Sequence, residues 1–381
     1  MRKDTERGCA VMRILGNING IIACCISLLA VCAGSSQSQQ FSSLFKVESD
    51  EKFGFADRNG KTIVPPQFDD AGDFSEGLAY VAQGGKYGFL DSKGNLVIKP
   101  RYQRTKSFSE GRAAVRIDNK WGFIDRAGQL VIPATFYACN SFSESLALVL
   151  MERPPLNLPK GVFFGPGAEV SVKSKRLGYI DLGGKVKVTL ALEGEVRGKV
   201  TKEGFDPDYI VYPKSFSEGL APVLVSGQWG FLDTTGNLAI PPKFKEIHGF
   251  SESVAGVQML DSSCGFIDKT GNMVIPGPFQ SVCSFSEGTA CVEARGKWGY
   301  IDGRGKAVIP YAYDEALPFS NGYAAVKKGS KWGYIDAKGS KAISFKFDLA
   351  LPFGEGLAKV FVEGKQVYID KTGKQIISSS Q

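Results

Sequence analysis

The chain repeats itself about nine times, and nothing else in it constrains the fold as tightly. The copies align on a glycine that follows an aromatic residue. It falls at Gly54, Gly88, Gly122, Gly178, Gly230, Gly265, Gly299 and Gly333, with Val367 at that place in a ninth copy. The spacing is 34 or 35 residues except on either side of Gly178. All four tryptophans, Trp121, Trp229, Trp298 and Trp332, precede such a glycine, and Phe53 and Tyr87 take their place in the first two copies. In Lys331-Trp332-Gly333-Tyr334-Ile335-Asp336 the two aromatics stand two residues apart, so on a strand they share one face. A large ring recurring at every copy reads as a stacked core. The competing reading is a ladder of exposed rings for sugars or peptides. The glycine between the rings leaves room for a neighbouring backbone or ring.

Downstream of each glycine, an aspartate is followed three residues later by a second glycine. Asp125, Asp233, Asp302 and Asp336 with Gly128, Gly236, Gly305 and Gly339 are four of nine instances. Aspartate at the first and glycine at the fourth place is the signature of a type I turn, so each copy makes a hairpin there. Calcium held by these carboxylates is disfavoured, because each turn offers one regular aspartate and calcium needs several oxygens together. A second apolar strand follows and runs into proline, as in Ile132-Pro133 and Ile309-Pro310, where the ladder is expected to stop. A third element opens on Phe-Ser-Glu-Gly and continues as a strand rich in Ala and Val. Its glutamate recurs in seven copies, with Asn321 in the eighth. That regularity argues for a structural acceptor, since catalytic groups come as one constellation. The unit therefore reads as three strands, too few to bury a core without neighbours.

The expected fold is all-β: a tandem array of about nine hairpin units of roughly 34 residues. Propeller blades usually hold four strands in 40 or more residues. An open solenoid or superhelix is therefore expected, with a closed propeller-like ring as the alternative. Residues 1–33 read as a signal peptide: Arg2, Lys3, Arg7 and Arg13 precede the apolar stretch 21–33. Export to the periplasm or outside the cell follows. The alternative is a lipoprotein anchored through Cys32, and membrane contact is expected only with that lipid or an uncleaved anchor. Residues 34–44 read as a linker, 45–377 as the repeat domain with an irregular insertion at 151–213, and 378–381 as a tail.

The net charge is +7, of which +2 lies in residues 1–33, with no basic run, so no nucleic-acid footprint is present. A single histidine, His248, reads as a surface residue, and no Cys-x-x-Cys pair marks a zinc site. Neither a metal, a cofactor nor an enzyme activity is expected. Outside the N-terminal segment the cysteines are Cys139, Cys264, Cys283 and Cys291, and isolated buried thiols are the preferred reading.

The Lys-Trp-Gly-Tyr-Ile-Asp strand, the Asp-x-x-Gly turn, the Val-Ile-Pro strand and Phe-Ser-Glu-Gly together resemble the bacterial WG-repeat, or KWG-repeat, family over about residues 45–377. Leu177 and Cys264 replace the aromatic in two copies, and Gln366-Val367 replaces Trp-Gly in the last. The resemblance implies a β-repeat architecture and no settled activity. The function expected is that of a binding or scaffold module for a protein partner in the cell envelope. Binding of cell-wall carbohydrate through the repeated aromatics is the alternative. The irregular stretch breaks the sameness of the copies, and its Phe163, Phe164, Phe205 and Tyr209 are the candidate partner contacts. Trp121, Trp229, Trp298 and Trp332, the glycines Gly122, Gly230, Gly299 and Gly333, and Asp125, Asp233, Asp302 and Asp336 are read as structural positions.

Overall fold

Turns of two residues let each copy close into one antiparallel sheet. In the eighth copy the strands are Glu315–Ala316, Tyr323–Lys328, Lys331–Asp336 and Lys341–Phe347, hydrogen-bonded in that order. Asn321 and Gly322, between the first two, have φ of 55° and 82°, the pair of positive values that a type I′ hairpin needs. A computed structural model describes residues 44–152, 169–174, 176–190, 194–201, 204–212 and 214–378. The signal peptide, Cys32 with its lipid alternative, and Phe163 and Phe164 all lie outside these residues. So do linker residues 34–43 and tail residues 379–381.

Nine such sheets, numbered as blades, span 45–68, 70–102, 104–136, 138–189, 220–244, 246–279, 281–313, 315–347 and 349–378. Blades 1 and 5 have three strands and the others four. The fourth strand is the short one, such as Arg104–Thr105, that follows the proline-bearing strand after a single residue. Proline does not stop the ladder as expected. The strand Leu130–Phe136 runs through Pro133 by bulging: Trp121 pairs with Phe136 and Phe123 with Ile132. Three residues thus face Gly122 alone, and a Cβ there would lie 2.5 Å from the carbonyl oxygen of Ile132. The repeat needs glycine because a backbone occupies the place of a side chain.

The array is a closed nine-bladed propeller, which corrects the expectation of an open solenoid. The contacts between successive blades recur across the ends of the chain. The turn glycine of each blade sits on the Ile or Val of the blade before it, as Gly339 does on Ile309, and Gly60 of blade 1 sits on Ile376 of blade 9. The buried aromatic after each Trp-Gly packs on the Phe of the next Phe-Ser-Glu-Gly. Phe89 with Phe108 and Tyr334 with Phe353 both have ring centroids 4.8 Å apart. At the join Tyr368 of blade 9 meets Phe45 of blade 1 at 5.5 Å. Arg58 then donates to the carbonyl oxygen of Glu355 at 2.7 Å. No strand is exchanged: Phe45–Ser49 pairs within blade 1, and blade 9 is completed by its own Gln375–Ser378. Four strands fit into 34 residues because almost nothing is left for loops, which is why the length comparison with ordinary blades misled.

Two further bond series tie the blades. The serine of Phe-Ser-Glu-Gly donates to the carbonyl oxygen of the next copy's Phe, from Ser75 to Phe108 through Ser320 to Phe353. The glutamate beside it accepts the next copy's turn amide, as Glu76 does from Gly111 at 3.0 Å and Glu287 from Gly322 at 3.0 Å. Both bonds reach across to a neighbouring blade.

The irregular stretch 151–213 is two insertions flanking blade 4's own hairpin, Leu177–Asp181 and Val186–Thr189. Strands Glu169–Ser174, Gly194–Thr201 and Gly204–Tyr212 make a separate three-stranded sheet, whose last strand runs beside Ala138–Cys139 of blade 4. Phe205 stands opposite Val200 in it, and Tyr209 opposite Arg197.

Candidate functional site

The repeat positions expected to be structural are consumed by packing. Trp121 is 1% exposed and Trp332 4%, while Trp229 and Trp298 are half-buried against the cores of their blades. Gly122, Gly230, Gly299 and Gly333 each face the carbonyl of the bulged strand beside them. Asp125, Asp233, Asp302 and Asp336 each accept two backbone amides of their own turn, as Asp336 does from Lys338 and Ser340 at 2.9 Å. The hydroxyl of Thr235 holds the carboxyl of Asp233 below its ordinary range, and turn amides do the same for Asp302.

Side chains that differ from copy to copy are found elsewhere, along the short strands. The proline-bearing strand alternates exposed and buried residues, as a perimeter strand does, and the short strand is the opposite edge of each blade. Residues of three consecutive blades border one open depression of about 460 Å³. Blade 2 supplies Asp70, Tyr80 and Tyr87, blade 3 supplies Arg104, Thr105, Lys106 and Trp121, and Asn140 leads out of the short strand of blade 4. The Tyr87 hydroxyl donates to Asp70 at 3.1 Å, and the Tyr80 and Tyr87 rings lie 6.0 Å apart. Burial, aided by the Asp70 charge, pushes the Tyr80 phenol up to about 12, so it remains neutral. The Lys106 ammonium sits 5.7 Å from the centre of the Trp121 ring. Arg116, on the same face of blade 3, is 5% exposed.

One register position continues around the ring from this depression. It holds Lys106, Asn140, Lys214 and His248 in blades 3 to 6, then Cys283, Leu317 and Leu351 in blades 7 to 9. Lys214 reaches solvent yet has protein on most sides, which lowers its pKa, and its ammonium lies 5.2 Å from the Trp229 ring. His248 is half-buried beside it, contrary to the surface place expected for it. Burial first, and the Lys214 charge second, bring its pKa down to about 4. Cys283 and Cys291 form a disulfide, which corrects the reading of four separate thiols, while Cys139 and Cys264 are buried and lie outside that bond.

Of the candidate contacts, Phe205 and Tyr209 lie on the last strand of the inserted sheet. Asp70, Tyr80, Arg104 and Lys106 were missed because attention to what recurs hides what varies. The signal was present as unlike residues at like positions.

A sequence profile described as WG containing repeat matches residues 53–87, 87–121, 121–152, 229–261, 265–298, 298–332 and 332–365. No curated protein matches the chain. Among solved structures, a eukaryotic initiation factor is 13% identical, with 89% of this chain and 96% of that one covered at a TM-score of 0.51. The computationally designed Ika8 protein is 14% identical, with 76% and 95% covered at a TM-score of 0.39. BamB from Moraxella catarrhalis is 14% identical, with 78% and 96% covered at 0.36. The first of these likenesses concerns the fold alone.

Proposed function

The chain belongs to the WG-repeat family, and from that premise we propose that it is an exported, non-catalytic scaffold that binds a protein partner. The observation that carries the reading is an arc of exposed apolar residues at the head of the perimeter strands. Leu96 and Val97, Leu130 and Val131, Val186, Leu238, Met273 and Val274, and Val308 are each 37–48% exposed. They occupy blades 2 to 7, whereas Thr62, Lys341 and Gln375 open the same strand in blades 1, 8 and 9. Recurring exposed apolar surface on one side of a rigid ring suits a macromolecular partner. A sugar ladder finds less support, since the tryptophans that would build it are buried or half-buried.

The reading of export rests on residues 1–33 and draws support from the Cys283–Cys291 disulfide, a bond kept in oxidising compartments. The test is capture of partners from the organism's own envelope fraction by the wild type and by a variant carrying Leu96→Ser and Leu130→Ser. The variant should keep its β-sheet circular dichroism and lose the partner. Undiminished capture by the variant would remove the arc as the binding surface.

A further inference from the structure

We infer that the inserted sheet joins a second copy of this chain edge to edge, strand Glu169–Ser174 against its own counterpart, in an antiparallel pair centred on Ser171. The contact lies apart from the aliphatic arc of the perimeter strands and does not depend on the scaffold reading.

The strand order of the inserted sheet leaves one edge open. Gly194–Thr201 is its middle strand, and Gly204–Tyr212 runs beside Ala138–Cys139 of blade 4. Among the described residues, Glu169–Ser174 is paired with Gly194–Thr201 on one side and with no strand on the other. Such an edge is a template for a further strand, and charges on it ordinarily keep other strands away. Charges of one sign would repel a second copy. Here they are of opposite sign, and Glu169 and Lys173 stand two residues to either side of Ser171.

An antiparallel pair centred on Ser171 sets Glu169 of each copy opposite Lys173 of the other, and Val170 opposite Val172. Directly opposed residues share a face of the sheet, so valines meet valines and opposite charges meet each other. A register slipped by one residue sets Val170 opposite Lys173, or Glu169 opposite Val172, and mixes the two faces.

The rows that cross the sheet point to the same register. Asp206, Lys199 and Glu169 are opposed in succession over the three strands, so the sign alternates and the row reaches the open edge at Glu169. Glu195 and Lys173 form a second row, which reaches that edge at Lys173. Pairing about Ser171 runs the first row of one copy into the second row of the other, and the alternation continues without a break. On the other face, Ile210, Val196 and Val172 form a row that continues onto Val170 of the other copy. The product is one sheet of six strands about a two-fold axis. It is closed, because each copy spends its one open edge on the other.

Sedimentation of the full chain over concentrations up to about 1 mM should show a dimer that dissociates on dilution. Hydrogen exchange of dimer and diluted monomer should differ at residues 169–174 and agree in blades 7 and 8. Glu169→Lys and Lys173→Glu should each weaken the dimer about tenfold or more, since the axis applies each change twice. Mixed in equal amounts, the two variants should pair with each other about as strongly as the wild type does with itself, because every opposed pair again holds one acid and one base. Repulsion that a substitution introduces within its own sheet is the same alone and mixed, so recovery reports the contact between copies. Three outcomes overturn the inference: a wild type that stays monomeric over the whole range, a dimer that leaves exchange at 169–174 unchanged, or variants that each exchange like the diluted wild type and do not recover on mixing. A monomeric wild type that gains protection at 169–174 only in the organism's envelope extract would assign the edge to another partner and overturn it likewise.

Discussion

At the scale of single residues, the repeat separates those that hold the ring from those that distinguish one blade from the next. Gly122 illustrates the first kind. Its want of a side chain was legible as room for a neighbour, but the neighbour turned out to be a bulged strand that the proline was expected to terminate. The ninth copy shows the rule by departing from it. Val367 pairs directly with Ser378, whereas three residues of the bulged strand face Gly122. His248 is of the second kind and was misread, since sequence gives a loop its composition and not the neighbours that close over it. Its pKa of about 4 in the fold, against about 6.5 unfolded, makes a sign-definite prediction. Between these values the unfolded chain binds the extra proton, so the stability due to a neutral His248 is complete above pH 6.5 and is lost as pH falls through 4. From pH 7 to pH 5 the urea-derived stability should fall by about 2 kcal/mol more in the wild type than in a His248→Gln variant. Parallel losses in the two proteins would show that His248 titrates normally.

At the scale of elements, the Phe-Ser-Glu-Gly turn was legible in position and partly in purpose. Its glutamates were expected to serve as local acceptors, and they do accept amides, but from the next blade. The hairpin turn that carries them has a left-handed backbone: Glu76, Glu110, Glu218, Glu252 and Glu287 all have φ near 53°. That conformation is unfavourable for a residue with a long side chain, so each copy trades local strain for a tie to its neighbour. Glu287→Ala keeps the strain and removes the bond to Gly322, and should destabilise by about 1 kcal/mol. Glu287→Asn removes the same bond and suits the turn, as Asn321 does in the following copy, and should fall within about 0.5 kcal/mol of the wild type. Denaturant midpoints of the two variants against the wild type decide it: a Glu287→Ala midpoint equal to that of the wild type would mean that the bond contributes nothing, and equal midpoints for the two variants that the strain does not. The insertions in copy four were legible as interruptions. That they build one sheet together was not, because pairing between segments separated by a blade's own hairpin leaves no local pattern.

At the scale of the whole molecule, closure was the feature least visible beforehand, since a repeat specifies contact with the next copy and is silent on whether the last meets the first. The join of blades 9 and 1 holds by Phe45 on Tyr368, Arg58 on Glu355 and Gly60 on Ile376, with no shared strand. Serine-to-carbonyl bonds link the successive Phe-Ser-Glu-Gly elements, but Gly354 replaces the serine in blade 9. Hydrogen exchange followed by mass spectrometry should therefore find strands Phe45–Ser49 and Lys365–Asp370 losing protection before their counterparts in blades 7 and 8. Uniform protection around the ring would mean that the join is as firm as any other. The same join governs the order in which the chain acquires structure as it emerges from its point of synthesis or translocation. Each blade can settle on its predecessor as soon as its own residues are available, and only one contact must wait. Until Tyr368 and Ile376 arrive, blade 1 presents an uncovered apolar flank at Phe45. The early chain therefore carries this surface on the first blade made, and the ninth blade is the one that covers it.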